Sequence, residues 1–416
     1  MVAACSDEGE SAQTNAAVTS PANAALTTSA TGAETSAPTT PVTSEATSEP
    51  TAATPTTFLV PGEEWSRSSP AEQGLDPAPL RRARRYAFAE GRNTQGVVVV
   101  YRGEIIAEWY DAGADAQSWA ASWSMAKSVT SASIGIAISE GLIPSVDEPM
   151  TTYYPEWKGT DRQDITLRDV LQMSSGLRWQ ENYDPSSIDS SDIIQIVVFR
   201  ANQLAYVADR PSAEEPGSVF NYSSGDTLLL SGVLEQATGM SAEEYARRKI
   251  FEPIGMEQVE WWQDAKQHTL TYCCLDATSR DFARFGWLYL NGGRWGEEQV
   301  VPPDWVDESL QPSEAFEGYG YQWWLTGRED ERLPDDLFSA RGFDGQYIYV
   351  VPSLDLVIVR NGTYMKHPGD PVADPSLFEY YPSGSLNPSL GTLRPESGWD
   401  DVEFLSPIIE SIEQQA

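Results

Sequence analysis

Lysine, histidine and cysteine are scarce in this 416-residue chain, and each scarcity excludes something. Only five lysines occur (Lys127, Lys158, Lys249, Lys266 and Lys366), and 27 basic side chains face 62 acidic ones, a formal net charge of −35. A surface that negative repels phosphate backbones, so a nucleic-acid partner is excluded. The two histidines, His268 and His367, are too separated for a metal cluster and neither sits in a triad-like motif, so no cofactor is expected. Three cysteines, Cys5, Cys273 and Cys274, provide neither a disulfide framework nor zinc-type spacing. A bond between adjacent Cys273 and Cys274 would be strained, so two free buried thiols are expected. No apolar run reaches the ~18 residues of a membrane helix.

Residues 1–58 lack basic side chains altogether and carry six acids. From Ser6 to Thr57 they are Ala, Thr, Ser, Pro and Glu with almost no large apolar residue. Such a segment cannot bury enough surface to offset its ordering entropy, and it reads as a disordered linker. Before it stands Val2-Ala3-Ala4-Cys5, small residues ahead of a cysteine, which resembles a bacterial lipobox. Lipid attachment at Cys5 and an extracytoplasmic, envelope-tethered location follow as expectations, with the true start of the signal segment lying upstream.

The folded part is expected from residue 59 on. Pro79–Arg92 reads as a helix, and Gly96–Tyr101 and Glu104–Tyr110 read as a hairpin of strands. Between Asp147 and Thr278 helix signals dominate. Thr166 with Asp169, and Ser241 with Glu244, resemble capping boxes, Gly239 ends a helix over Thr227–Thr238, and Thr278 caps Ser279–Leu290. Strands return at Gly320–Leu325, Gln346–Val351 and Leu354–Arg360, and Asp401–Gln415 closes as a helix. Strands at both ends with helices between predict an α+β fold: an antiparallel sheet drawn from 59–145 and 278–416, with a mostly helical insertion over 146–277.

Against this background Ser124-Met125-Ala126-Lys127 stands out. A hydroxyl and an amine three residues apart share one face of a helix. The segment after them, Ser128–Ile143, is almost all small or apolar, so the helix is mostly buried. Serine attacks a carbonyl only when a neighbouring base takes its proton, and a buried lysine, driven toward its neutral form, can be that base. A surface lysine on an ordinary helix is the plain alternative; the apolar surroundings argue against it. Tyr222, in the loop Pro216–Ser224 ahead of a helix, is a second proton-handling candidate, although loop tyrosines are common.

These motifs, with Ile165–Gly176, Phe251–Met256 and Asp281–Gly286 in order, resemble the serine β-lactamase and penicillin-binding-protein superfamily. The class C-like branch that includes the 6-aminohexanoate-dimer hydrolases is the most similar. The resemblance implies Ser124 as the acyl-accepting nucleophile, with Lys127 and Tyr222 managing its proton. It places backbone N–H donors for the oxyanion at Ser124 and Phe343, and substrate contacts at Trp179, Tyr183, Ser224 and Asp344. Trp261, Trp262, Trp323 and Trp324 are assigned mostly to the core. Two departures from the penicillin-recognising pattern matter: Tyr222-Ser223-Ser224 replaces Tyr-x-Asn, and the strand Ser339–Gln346 carries no Lys-Thr-Gly. The implied activity is hydrolysis of small amides or esters through an acyl-enzyme. A peptidoglycan D-Ala-D-Ala carboxypeptidase or β-lactamase, and an acylated or non-catalytic envelope sensor, are the alternatives.

Overall fold

Four consecutive valines, Val97–Val100, set the centre of the molecule, because β-branched side chains favour a strand and an unbroken apolar run needs burial on both faces. All four are fully buried. The computed structural model describes residues 60–62, 64–183, 190–343, 345–362 and 399–414. The chain divides into Met1–Pro55 and Thr56–Ala416, and every described residue belongs to the second unit.

The first third holds α1 (Pro77–Ala87), β1 (Thr94–Tyr101), β2 (Glu104–Tyr110), β3 (Trp119–Ala121) and α2 (Ala126–Ser139). The middle contributes α3 (Leu167–Leu171), α4 (Asp192–Phe199), α5 (Gln203–Ala208), α6 (Ser224–Thr238), α7 (Ala242–Ala246), β4 (Val259–Trp261), β5 (Leu275–Thr278) and α8 (Ser279–Leu290). A two-stranded hairpin, β6 (Arg294–Trp295) with β7 (Glu298–Gln299), and α9 (Pro303–Ser309) lead to β8 (Phe338–Gly342), β9 (Gln346–Val351), β10 (Leu356–Gly362) and α10 (Asp401–Glu413).

The main sheet is antiparallel, in the order β2-β1-β10-β9-β8, so both ends of the folded unit meet in it. Alternation along β1 sends Val97 and Val99 toward α1 and α10, with Leu80, Leu405 and Ile408. Val98 and Val100 face the other way, into a larger core shared with α2, α6 and α8. A three-stranded sheet, β3-β5-β4, links the main sheet to the helical region.

Several helix ends fall where the sequence indicates, although α1 stops at Ala87 rather than Arg92 and α6 begins at Ser224 rather than Thr227. Thr166 and Asp169 form the reciprocal capping box, Thr278 caps α8, and Gly239 closes α6 in the left-handed conformation at φ 72°. Gly320–Leu325, expected as a strand, is instead a tight turn in which Gly320 N–H bonds to Trp323 O, Gln322 sits at φ +63° and only Trp324 bridges to Ser339. The turn drives the Gln322 amide inward, where its Nε2 donates to Leu171 O at 2.7 Å and its Oε1 accepts from Thr227 at 2.7 Å. A side chain that ties two helices together thus overrides the strand preference of its aromatic neighbours.

Candidate active site

α2 is enclosed on nearly every side, and Ala126–Ala137 are all buried. Its hydroxyls therefore need partners, and Ser128 and Thr130 donate to the carbonyls of Gln322 and Thr271 at 2.7 and 2.9 Å. Ser124 lies in the short 3-10 turn Trp123–Met125 that opens this helix. Trp123 enters the turn at φ +43°, a left-handed conformation that a bulky residue adopts only when its surroundings hold it there. The outcome is a serine presented at the mouth of a cavity of about 460 Å³.

Lys127, one turn on, is fully enclosed. Its ammonium reaches Ser124 Oγ at 3.0 Å, Ser224 Oγ at 3.1 Å and the Tyr272 carbonyl at 2.9 Å. Burial lowers its pKa to about 8, against the opposing pull of the Glu181 carboxylate. The Tyr222 ring lies 5.1 Å from the lysine nitrogen. Burial raises the Tyr222 pKa, and its interaction with Ser124 works the other way. Ser124, Lys127 and Tyr222 are thus gathered at one point from the start of α2 and from the loop before α6.

Phe343 follows β8, the edge strand beside the Trp123–Met125 turn. A Cβ on Gly342 would fall 2.2 Å from Ser122 O, so only glycine lets these two backbones run this close. Phe343 and Ser124 both line the cavity, and the Phe343 ring packs edge-on against Trp123 at 6.0 Å and stacks on Tyr183 at 4.8 Å. Of the remaining expected contacts, Tyr183 lines the cavity. Trp179 does not: it is buried over Gly225 and borders a separate cavity of about 440 Å³. Ser224 lies behind the cavity wall, between Lys127 and Glu181. Asp344 and Cys5 lie outside the described residues. Trp261, Trp262 and Trp323 belong to the core, while Trp324 stacks on Tyr222 at 5.6 Å and lines the cavity.

The two cysteines correct the expectation of free thiols. Cys273 and Cys274 are bonded to each other. The neighbouring backbone accommodates the bond, with Cys274 at φ +64° and the Cys273 carbonyl accepting from Trp261 Nε1 at 2.8 Å. The residue just before the pair, Tyr272, supplies the carbonyl that holds Lys127. His268 is engaged with Glu235 at 3.0 Å, and among the described residues no group of three or more His, Cys, Asp or Glu is placed to hold a metal ion.

Three features were missed in the sequence. Glu181 accepts from Ser224 N and Ser224 Oγ, at 3.0 and 2.7 Å, and also from Trp179 Nε1 and Tyr183 OH. Trp399, ahead of α10, lines the cavity beside Tyr347. Arg341 also lines it, but its charge is already matched by Glu329 at 2.7 Å and Asp401 at 3.5 Å. A lone glutamate in a loop, a tryptophan before a helix and an arginine in a strand have no local signature; each becomes meaningful only through distant partners.

A serine touching an enclosed lysine whose pKa burial lowers, beside a tyrosine, is the constellation of a serine-nucleophile hydrolase. Residues 81–379 match the Beta-lactamase family model, and the chain belongs to that family, whose members are serine hydrolases. It is 27% identical over 329 residues to a 6-aminohexanoate-dimer hydrolase of Paenarthrobacter ureafaciens, covering 73% of this chain and 82% of that protein. Among solved structures, the fold is shared with a D-stereospecific amidohydrolase from Streptomyces sp. at TM-score 0.53 and 16% identity, covering 69% of this chain and 94% of that one. A penicillin-binding-protein homologue from Caulobacter crescentus matches at TM-score 0.53 and 14% identity, over 70% and 92%.

Proposed function

We propose that Ser124 is the acyl-accepting nucleophile of an amide or ester hydrolase. The observation that carries this reading is the 3.0 Å contact between Ser124 Oγ and a lysine whose pKa burial lowers to about 8. Neutral Lys127 takes the Ser124 proton as Oγ attacks the carbonyl, and the N–H groups of Ser124 and Phe343 hold the oxyanion. Each such donor is worth about 2.7–4 kcal/mol in the transition state. Tyr222, beside both Lys127 and Ser124, passes the proton to the departing amine or alcohol, and water then cleaves the acyl-enzyme.

The cavity argues for the substrate class. Tyr183, Tyr222, Trp324, Phe343, Tyr347 and Trp399 offer aromatic faces, and the one cation among the lining residues, Arg341, is neutralised by Glu329 and Asp401. Among the described lining residues a β-lactam carboxylate finds no unmatched cation, which argues against a β-lactam substrate. The similarity to the Paenarthrobacter 6-aminohexanoate-dimer hydrolase supports an amide as the bond cleaved. Lipid attachment at Cys5 would place the enzyme outside the cytoplasm; the cysteine and the acidic Ser/Thr/Pro linker after it support this.

The test is a fluorophosphonate probe together with two substrates. Ser124 should be labelled, short p-nitrophenyl esters cleaved, and nitrocefin barely turned over. Labelling that survives in Ser124→Ala would sink the nucleophile assignment, and nitrocefin turnover matching ester turnover would sink the substrate class.

A further inference from the structure

The charged form of Lys127 donates to three oxygens: Ser124 Oγ, Ser224 Oγ and Tyr272 O. A general base works in its neutral form, which keeps two N–H donors and gains one lone pair. That lone pair must meet the nucleophile's proton and no other. The Tyr272 carbonyl carries no hydrogen and can only accept. Ser224 does carry one, and if its hydroxyl turned toward the lysine it would occupy the lone pair and leave Ser124 unactivated.

Glu181 prevents that. Ser224 Oγ donates to Glu181 Oε1 at 2.7 Å, and Ser224 N–H donates to Oε2 at 3.0 Å. Trp179 Nε1 and Tyr183 OH donate to the same carboxylate and fix its plane. We propose that Glu181 is the positioning residue of this site: by claiming the Ser224 proton it leaves Ser124, of the two serines that touch Lys127, as the one able to donate to it. The inference rests on the Ser124–Lys127 reading above and names what directs that pair.

Charge follows from the same geometry. The carboxylate is one hydroxyl removed from the amine, and it favours the ammonium form against the burial that disfavours it. Among the titratable groups near Lys127, Glu181 is the one whose charge opposes the effect of burial. The Tyr222 and Tyr272 rings lie 5.1 and 5.7 Å away, and burial raises both pKa values, so they stay neutral. Asp226 on α6 accepts from Ser175, and Asp276 on β5 accepts from Trp262. Glu181 therefore both aims the lysine and sets the lower edge of its working pH range.

The experiment follows fluorophosphonate labelling of Ser124 against pH in the full chain, for wild type, Glu181→Gln, Glu181→Asp, Ser224→Ala and the Glu181→Gln/Ser224→Ala pair. An amide at 181 can donate to Ser224 and free its hydrogen toward Lys127. The plateau rate of Glu181→Gln should fall by about tenfold or more, while its midpoint moves down by about one pH unit as the anion is lost. Glu181→Asp keeps the charge and should hold the wild-type midpoint. Removing the competing hydroxyl should make the double variant no slower than Glu181→Gln alone, a non-additive result. A glutamine variant with an unmoved or raised midpoint overturns the proposal, as does strict additivity. If the glutamine variant does not fold, an aspartate variant whose midpoint falls overturns it equally. Wild type that takes no label defeats the nucleophile reading instead, so the two failures are distinct.

Discussion

α2 and α6 are nearly the same object built for different ends. They are 14 and 15 residues long, both are apolar on most sides, and they pack against each other through Lys127 and Ser224. Each buries one ionisable group that burial pushes toward neutrality: Lys127 down to about 8, Asp226 up to about 7. They differ at their first turns. α6 is closed, with Ser223 capping Asp226 N–H and Glu181 taking Ser224 N–H. No side chain caps α2 or the 3-10 turn before it, and a cavity stands there instead. An uncapped, buried helix start beside a shifted lysine is what a developing oxyanion requires. The capped start instead closes its helix and holds Ser224 against Lys127.

The largest effect in this comparison belongs to Ser124. Ser124→Ala should reduce ester hydrolysis by about 10³-fold or more and abolish fluorophosphonate labelling, with the melting temperature nearly unchanged. Equal damage from Ser223→Ala, the corresponding start of α6, would erase the distinction between the two helices.

Lys127 comes next. Lys127→Ala should lower the acylation rate by about 10²–10⁴-fold. Lys127→Arg should not restore it, because guanidinium stays protonated. In wild type the rate should rise with pH through a midpoint near 8, far below the ~10.4 of free lysine. Near-normal rates in the arginine variant would show that Tyr222 alone handles the proton.

Gly342 tests the oxyanion side. Any side chain there meets Ser122 O and pushes β8 away from the nucleophile turn. Gly342→Val should cost about 10²–10³-fold in kcat with little change in KM. A rise confined to KM would mean that Phe343 N–H is not aimed at the reacting carbonyl.

These contrasts also show what could be read from sequence. Ser124, Lys127 and Tyr222 sit in short motifs whose chemistry is local, and the valine run and the caps at Thr166, Gly239 and Thr278 announce elements locally too. Glu181, Arg341 and Trp399 gain their roles from residues far away in the chain, such as Asp401, 60 positions from Arg341, or Tyr86, 313 positions from Trp399, and no window of sequence contains that. The Gly320–Leu325 turn was misread for the same reason: the Gln322 partners, Leu171 and Thr227, lie 151 and 95 residues off. The Cys273–Cys274 bond was misread because adjacency argued for strain, whereas the surrounding backbone at φ +64° accommodates it.

The smallest effect concerns Asp226, the structural counterpart of Lys127. Its carboxyl is enclosed, accepts from Ser175 at 2.8 Å, and titrates near 7 in the folded chain against about 3.9 when unfolded. Between those values the folded state binds more protons than the unfolded one, so stability declines as pH rises through the window. The contribution is fully present below about pH 4 and is lost above about pH 7. Asp226→Asn keeps an acceptor for Ser175 and removes the titration. Acid effects from the many other carboxylates act on both proteins alike and cancel in their difference. The melting temperature of the variant minus that of wild type should therefore grow by roughly 2–4 °C from pH 4.5 to pH 8, while ester hydrolysis at pH 8 stays close to wild type. A flat difference would show that Asp226 is ionised throughout, and that burial on α6 does not act on its carboxylate as burial on α2 acts on Lys127.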